Sequence, residues 1–340
     1  MPLSPSARLF WILDLLGSLR ALHWYHGHTQ APKFAAFGKK PPKTYLYFGR
    51  NLGKLFLIYL CIDCLKEIIA LDPYFWGYTE HDPPGYIRFY LPSKVSLLGI
   101  DLVRTYRMFV AFAVLYVAVE LISTVGVLLF VNILGPSVAG TWGEEWAYSP
   151  QHGNPKIIFT RGLQGFWGSW WHQMFRSTLV SPIDAVIKIL CVPKRGVIAR
   201  VIKLVTAFSI SGAIHASGSY TMWGDTKPLN SFLFFLLQPA GIAVQILCSW
   251  GLNKLNPRIK VSTRVRKAVN VLFTVFWLLH TFPLLADDLA RGGLWLTEPF
   301  PISVLQILGL GSASRARQLG FNYGLHVFLG RRWWQVGLAL

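Results

Sequence analysis

Charge is absent from long stretches of this chain, and that absence fixes most of what it can become. From Met108 to Leu134 the one charged side chain is Glu120, and further apolar runs lie at about 196–217, 231–251 and 268–286. Runs of roughly 20 apolar residues match the thickness of a bilayer's hydrocarbon. Inside hydrocarbon the backbone N–H and C=O groups must be satisfied within the segment, which selects the α-helix. Composition agrees: 53% of residues are hydrophobic and 14% charged, against roughly a quarter charged in soluble domains. The expected fold class is all-α, a polytopic, multi-pass integral membrane helical bundle read as a single domain over 1–340.

Shorter features fill in the plan. Residues 8–25 read as an amphipathic interfacial helix, too charged to span. Arg8, Asp14 and Arg20 also argue against a cleavable signal peptide. A first hydrophobic helix over about 53–70 carries Asp63 and Glu67, so one of its faces must meet protein rather than lipid. Prolines between 73 and 107 indicate loops. Residues 135–182 form a long segment rich in Gly, Pro and Trp, and a weak apolar stretch lies near 299–310. Cys61 and Cys64 lack the partners a zinc site would need and read as small buried hydrophobes.

The net charge of +18 does not point to nucleic acid. Basic residues cluster between the apolar runs, at Lys33 to Lys54, Lys188 to Lys203 and Lys254 to Lys267, as the positive-inside rule arranges them against anionic lipid. If each helix from 53–70 onward crosses once, all three clusters fall on one side, and 135–182 lies on the cytosolic face. The lipid bilayer is therefore the expected partner.

Two stretches carry chemistry. The first is Gly165-Phe-Trp-Gly-Ser-Trp-Trp-His172-Gln-Met-Phe-Arg176. Plotted as one helix over 162–178, Trp167, Trp170, Trp171 and Met174 share a face, and His172, Gln173 and Arg176 gather opposite. A helix that merely anchors tryptophans at headgroup level fits the same pattern. The second is Ser211-Gly-Ala-Ile-His215-Ala-Ser-Gly-Ser219, a histidine within an apolar helix. Ser211 and Ser219 lie one turn either side, and Gly212 and Gly218 leave room beside the ring. Tight helix packing through small residues is the alternative. An ionisable group at membrane depth is costly, and an imidazole takes and returns a proton near neutral pH.

Competing constellations are weaker. His23, His26 and His28 lack the further clusters a membrane di-iron site needs, so no metal is expected. Asp287-Asp288 is a single pair where prenyl transfer needs two aspartate-rich motifs. His280 is a lesser pocket candidate, and no Gly-x-Ser-x-Gly elbow exists for a serine nucleophile.

At these residues the chain resembles the membrane-bound O-acyltransferase superfamily, in its wax-synthase-like branch common in fungi. Four stretches match in family order: Arg8-Leu-Phe-Trp-Ile-Leu-Asp-Leu-Leu with Ser18-Leu-Arg-Ala, Gly143-Glu-Glu-Trp, the cassette 165–176, and Ser211-Gly-Ala-Ile-His215. The resemblance implies transfer of an acyl group from a coenzyme A thioester, preferably acetyl-CoA, to a hydroxyl of a lipophilic, terpenoid-like alcohol, with no bound cofactor. It implies His215 as the catalytic base and His172 as the second catalytic group. Trp171, Gln173, Ser211 and Ser219 would line the substrate, and Lys156, Arg161 and Arg176 would hold coenzyme A phosphates. Endoplasmic reticulum is the implied location, and a homo-oligomer is allowed. A wax-synthase-type transfer to a long-chain or sterol alcohol, or a non-catalytic lipid-binding protein, are the alternatives. Family members usually carry more hydrophobic helices before the first match, and the end after residue 311 is unusually aromatic and basic, so a compact or truncated member is expected.

Overall fold

Among the described residues of the computed structural model, four helices are long and apolar enough to cross a bilayer: Leu102–Ala139, Val197–Thr221, Pro228–Leu252 and Thr263–Arg291. The structure describes residues 44–81, 96–97, 100–148, 150–175, 179, 183, 186–193, 196–222, 224–255, 261–296, 300, 302–309, 326–329 and 336–339. The expected interfacial helix at 8–25, the histidines at 23–28 and the tail at 331–334 lie outside these residues. In order come α1 (Thr44–Leu71), a 3-10 turn (Pro73–Trp76), α2 (Leu102–Gly126) and α3 (Gly135–Ala139). They are followed by α4 (Lys156–Gly165), α5 (Val197–Thr221), α6 (Pro228–Leu255), α7 (Thr263–Arg291) and α8 (Val304–Ile307). The strands among the described residues are two short antiparallel pairs, β1 (Ser96–Leu97) with β2 (Ile100–Asp101) and β3 (His326–Leu329) with β4 (Val336–Ala339). The architecture is that of an all-α polytopic membrane protein.

Local signals explain the helix ends. Asp101 caps α2, its Oδ1 accepting from the N–H groups of Val103 and Arg104 at 2.9 and 3.1 Å. Past Gly126 the helix continues as a π-helical stretch, Val127–Leu134, before α3. α6 and α7 each tolerate an internal proline, Pro239 and Pro283, as spanning helices do.

Contacts divide the chain into two compact units. One comprises Met1–Asn51, Ser123–Ser211 and Gln238–Thr274; the other comprises Leu52–Ile122, Gly212–Leu237 and Val275–Leu340. In the first, Asn51 Nδ2 donates to Asn132 Oδ1 in the π-helical stretch at 3.4 Å. Gln151 Nε2 donates to Ser123 Oγ at 2.8 Å.

The second unit shows how α1 carries its charges. With Lys54, Asp63, Lys66 and Glu67 in its apolar part, α1 is not among the four helices that meet the spanning criterion. Lys54 Nζ lies 2.5 Å from Glu120 Oε2 on α2. Asp63, 2% exposed, accepts the N–H of Leu305 at 3.0 Å. Tyr59 donates to the carbonyl of Ile302 at 2.9 Å and accepts from the N–H of Val304 at 3.2 Å. Residues 302–305 are thus docked on α1. Cys61 and Cys64 are exposed free thiols, a correction to their reading as buried hydrophobes. They follow Leu57 at i, i+4, i+7 spacing on a face that protein leaves uncovered.

A buried polar network sits in the same unit. Asp72 accepts from Tyr74 N–H at 3.1 Å and from Arg107 Nε and Nη2 at 2.8 and 2.6 Å. The Tyr74 hydroxyl donates to Asp287 Oδ1 at 2.7 Å. Burial, and then the Asp287 charge, push the Tyr74 phenol above its ordinary value of 10.0, so it stays a donor. Asp288, 0% exposed, accepts from Lys227 N–H at 2.6 Å and from the Ser231 hydroxyl. Glu80 pairs with Arg291 at 2.6 Å and with Lys227 Nζ at 3.6 Å.

Candidate active site

The cassette does not form the continuous amphipathic helix expected over 162–178. α4 starts where Asn154 Oδ1 accepts the N–H of Lys156 at 3.0 Å. It breaks at Gly162, whose φ of 54° and ψ of −135° lie outside the helical region and in a region glycine tolerates. A π-helical turn, Phe166–Trp170, follows, and Trp171 is extended with φ −64° and ψ 138°. A 3-10 turn over Gln173–Phe175 completes the segment. A helical wheel assumes one unbroken axis, and two changes of direction within ten residues void it.

Side chains and a backbone strap hold this broken path in the first unit. Trp167 Nε1 donates to Gln238 Oε1 on α6 at 3.1 Å, and the Trp167 ring meets Phe208 edge-on at 5.5 Å. Gly153 N–H donates to the carbonyl of Trp170 at 2.9 Å, and Gln173 N–H to the carbonyl of Gln151 at 2.8 Å. Residues 151–173 are therefore pinned to each other on both sides of Trp171. The His152 ring lies 5.8 and 5.3 Å from the rings of Trp170 and Trp171. His172 lies 5.2 Å from Trp171 and 5.4 Å from Phe175. Gln173 spends its Nε2 on the carbonyl of Trp171 at 2.7 Å. Lys156 and Arg161 are exposed on α4, and Arg176 lies outside the described residues. Burial raises the Glu145 carboxyl of the Gly143-Glu-Glu-Trp stretch above its ordinary 4.5, with Arg50 opposing.

His215 belongs to the second unit. Its ring stacks on Phe235 of α6, centroids 4.4 Å apart and planes 18° from parallel. The approach of α6 depends on Gly212, where a Cβ would sit 3.0 Å from the carbonyl oxygen and Cδ2 of Phe232. At Gly218 a Cβ would meet nothing within 4 Å. Small residues therefore act differently on the two sides of the imidazole, one closing a helix contact and one leaving space. Ser219 is 1% exposed; its carbonyl accepts from Thr226 Oγ1 at 2.9 Å. Ser211 stands one turn before His215 on the same helix. His280 on α7 shares its Nδ1 with the carbonyl of Phe276 at 2.8 Å.

The Membrane bound O-acyl transferase family model matches residues 148–237, a segment holding both His172 and His215. Over that segment the chain is similar to membrane-bound O-acyl transferases. It is 34% identical over 172 residues to an acetyltransferase of Hericium erinaceus, 50% of this chain and 40% of that one. It is 28% identical to an acetyltransferase of Rhodocybe pseudopiperita, over 43% of this chain and 38% of that one. With an acetyltransferase of Calcarisporium arbuscula it shares 25% identity over 83% of this chain and 67% of that one. The chain thus spans about two fifths of the length of the first two relatives. No solved structure matches it.

Several residues that shape this candidate site escaped sequence reasoning. Gln238, Gln245 and Asn270 are amides inside spanning helices, and their rarity there was the available signal. His152 carried none beyond its nearness to the cassette.

Proposed function

We propose that this chain transfers an acyl group, preferably acetyl, from a coenzyme A thioester to the hydroxyl of a lipophilic alcohol. The observation that carries the reading is the family match over 148–237, which includes both histidines. The acetyltransferase names of the relatives favour the short donor. In the proposed step His215 takes the acceptor's O–H proton while that oxygen attacks the thioester carbonyl. The tetrahedral oxyanion is stabilised by His172, with Gln173 beside it. The C–S bond then breaks, and coenzyme A leaves with the proton returned by His215. Lys156, Arg161 and Arg176 would hold the donor's phosphates at the cytosolic mouth, and Trp171, Ser211 and Ser219 would line the acceptor. A terpenoid acceptor and the endoplasmic reticulum complete the reading.

The test is microsomal expression of wild type, His215→Ala and His172→Ala, supplied with acetyl-CoA and a panel of terpenoid and fatty alcohols. Ester mass and free coenzyme A are measured. Wild type is expected to form ester, and His215→Ala to lose at least about 10²–10⁴-fold with protein amount unchanged. Full activity in His215→Ala would overturn the mechanism.

A further inference from the structure

The break in α4 has an unusual repair. In an unbroken helix the N–H of Leu163 would donate to the carbonyl of Phe159, four residues earlier. The Gly162 break parts these two groups. Leu163 N–H donates instead to Gln245 Oε1 at 3.0 Å. Gln245 Nε2 donates to Asn270 Oδ1 at 2.9 Å, and Asn270 Nδ2 donates to the carbonyl of Phe159 at 3.0 Å. Two side-chain amides, one from α6 and one from α7, are spliced into a single helical hydrogen bond. Every member of the chain, from N–H to C=O, is satisfied in one direction. The relay also needs glycine at the break, since a Cβ on Gly162 would lie 1.9 Å from Gln245 Nε2. Seven residues before Gln245 on the same face of α6, Gln238 takes the Trp167 indole.

We propose that Gln245 and Asn270 are positioning residues: their amide relay sets the direction in which the cassette leaves α4 and thereby holds His172 for reaction. The proposal rests on the acyl-transfer reading given above. An isolated break would leave the N–H of Leu163, a residue 0% exposed, without an acceptor. The relay removes that penalty for one geometry of the break alone. Misplacement of a reacting group by about 1 Å costs on the order of 100-fold in rate, so a loosened relay should show as lost turnover.

The experiment uses the purified full chain in nanodiscs, as wild type, Gln245→Ala, Asn270→Ala, the isosteric Asn270→Asp, and the swap Gln245→Asn with Asn270→Gln. Hydrogen exchange is followed in peptides covering 157–175, with a peptide from 275–291 reporting on the rest of the fold. Ester formation is followed as kcat and KM. Each single variant should raise exchange at the Leu163 amide about tenfold or more while 275–291 is unchanged. kcat should fall about 10- to 100-fold with the acceptor KM held. The swap, which keeps the relay's summed length, should restore protection and part of kcat. Asn270→Asp, which faces the Phe159 carbonyl with an acceptor, should fail although its volume is unchanged. Unaltered exchange at 157–175 in an active enzyme overturns the relay and leaves the acyltransferase reading standing. Raised exchange with full kcat overturns the positioning role. Raised exchange in variants of a wild type that makes no ester confirms the relay and overturns the positioning role together with the acyltransferase reading.

Discussion

Replacing Asp288 by alanine should be among the most damaging changes available outside the candidate site. Its carboxyl is 0% exposed, as is Ser231, and it accepts from the Ser231 hydroxyl and from the Lys227 N–H at 2.6 Å. Asp288→Ala leaves the buried Ser231 hydroxyl and the part-buried Lys227 N–H without this acceptor. The orphaned hydroxyl costs about 1–3 kcal/mol and the N–H of the exposed Lys227 less, so the variant should lose about 2–4 kcal/mol. Ser231→Ala removes one of the two bonds and should cost about 1–2 kcal/mol. In the Asp288→Ala background the same serine change should cost nearly nothing, because it then deletes an unsatisfied hydroxyl. The resulting coupling should be about 1–2 kcal/mol. Equilibrium unfolding by sodium dodecyl sulfate in mixed micelles, followed by tryptophan fluorescence, would measure all four corners of the cycle. Additive losses, or an Asp288→Ala variant within about 1 kcal/mol of wild type, would refute the reasoning.

The glycines around His215 should separate cleanly in the same assay. Gly212→Ala forces a Cβ to 3.0 Å from Phe232 and should cost about 1–3 kcal/mol. Gly218→Ala fills open space in a helix and should gain about 0.5–1 kcal/mol; equal effects at the two positions would contradict the packing described. Glu80 predicts an acid-side effect: its hydrogen bond to Arg291, then the charges of Arg291 and Lys227, hold its carboxyl below the ordinary 4.5. A carboxyl depressed by folding stabilises the fold above its unfolded value and loses that contribution as pH falls through the folded one. The stability gap between wild type and Glu80→Gln should therefore be constant above about pH 4.5, close below it, and shrink with added salt. Parallel pH curves for the two proteins would count against the pairing.

Much of the architecture is legible in the residues because lipid tolerates so few solutions. Scarcity of charge marks 108–134, 196–217, 231–251 and 268–286, and the structure has helices over all four. The first helix was harder, since Lys54 and Asp63 find their partners far along the chain, in Glu120 and the backbone of Leu305. Periodicity contains no trace of either contact. At the candidate site the residue types pointed to two stretches that both fall within the family match over 148–237, but their geometry did not follow. A wheel drawn through 162–178 cannot register a positive φ at Gly162 or an extended Trp171. Nor does any local rule connect Leu163 to Gln245 or Asn270. What could have been read is the oddity of three amides in spanning helices, each of which needs a partner.

The docking of residues 302–305 on α1 sets a timetable for synthesis. Asp63 receives the N–H of Leu305 across a separation of 242 residues, and at about 5–20 residues per second the ribosome needs roughly 10–50 s to span it. Throughout that interval α1 has emerged with an acid that its final partner cannot yet reach. Until then the nascent helix must keep Asp63 in contact with water, headgroups or a membrane chaperone. Its settling into the bundle is therefore a late event, although it is the earliest helix described.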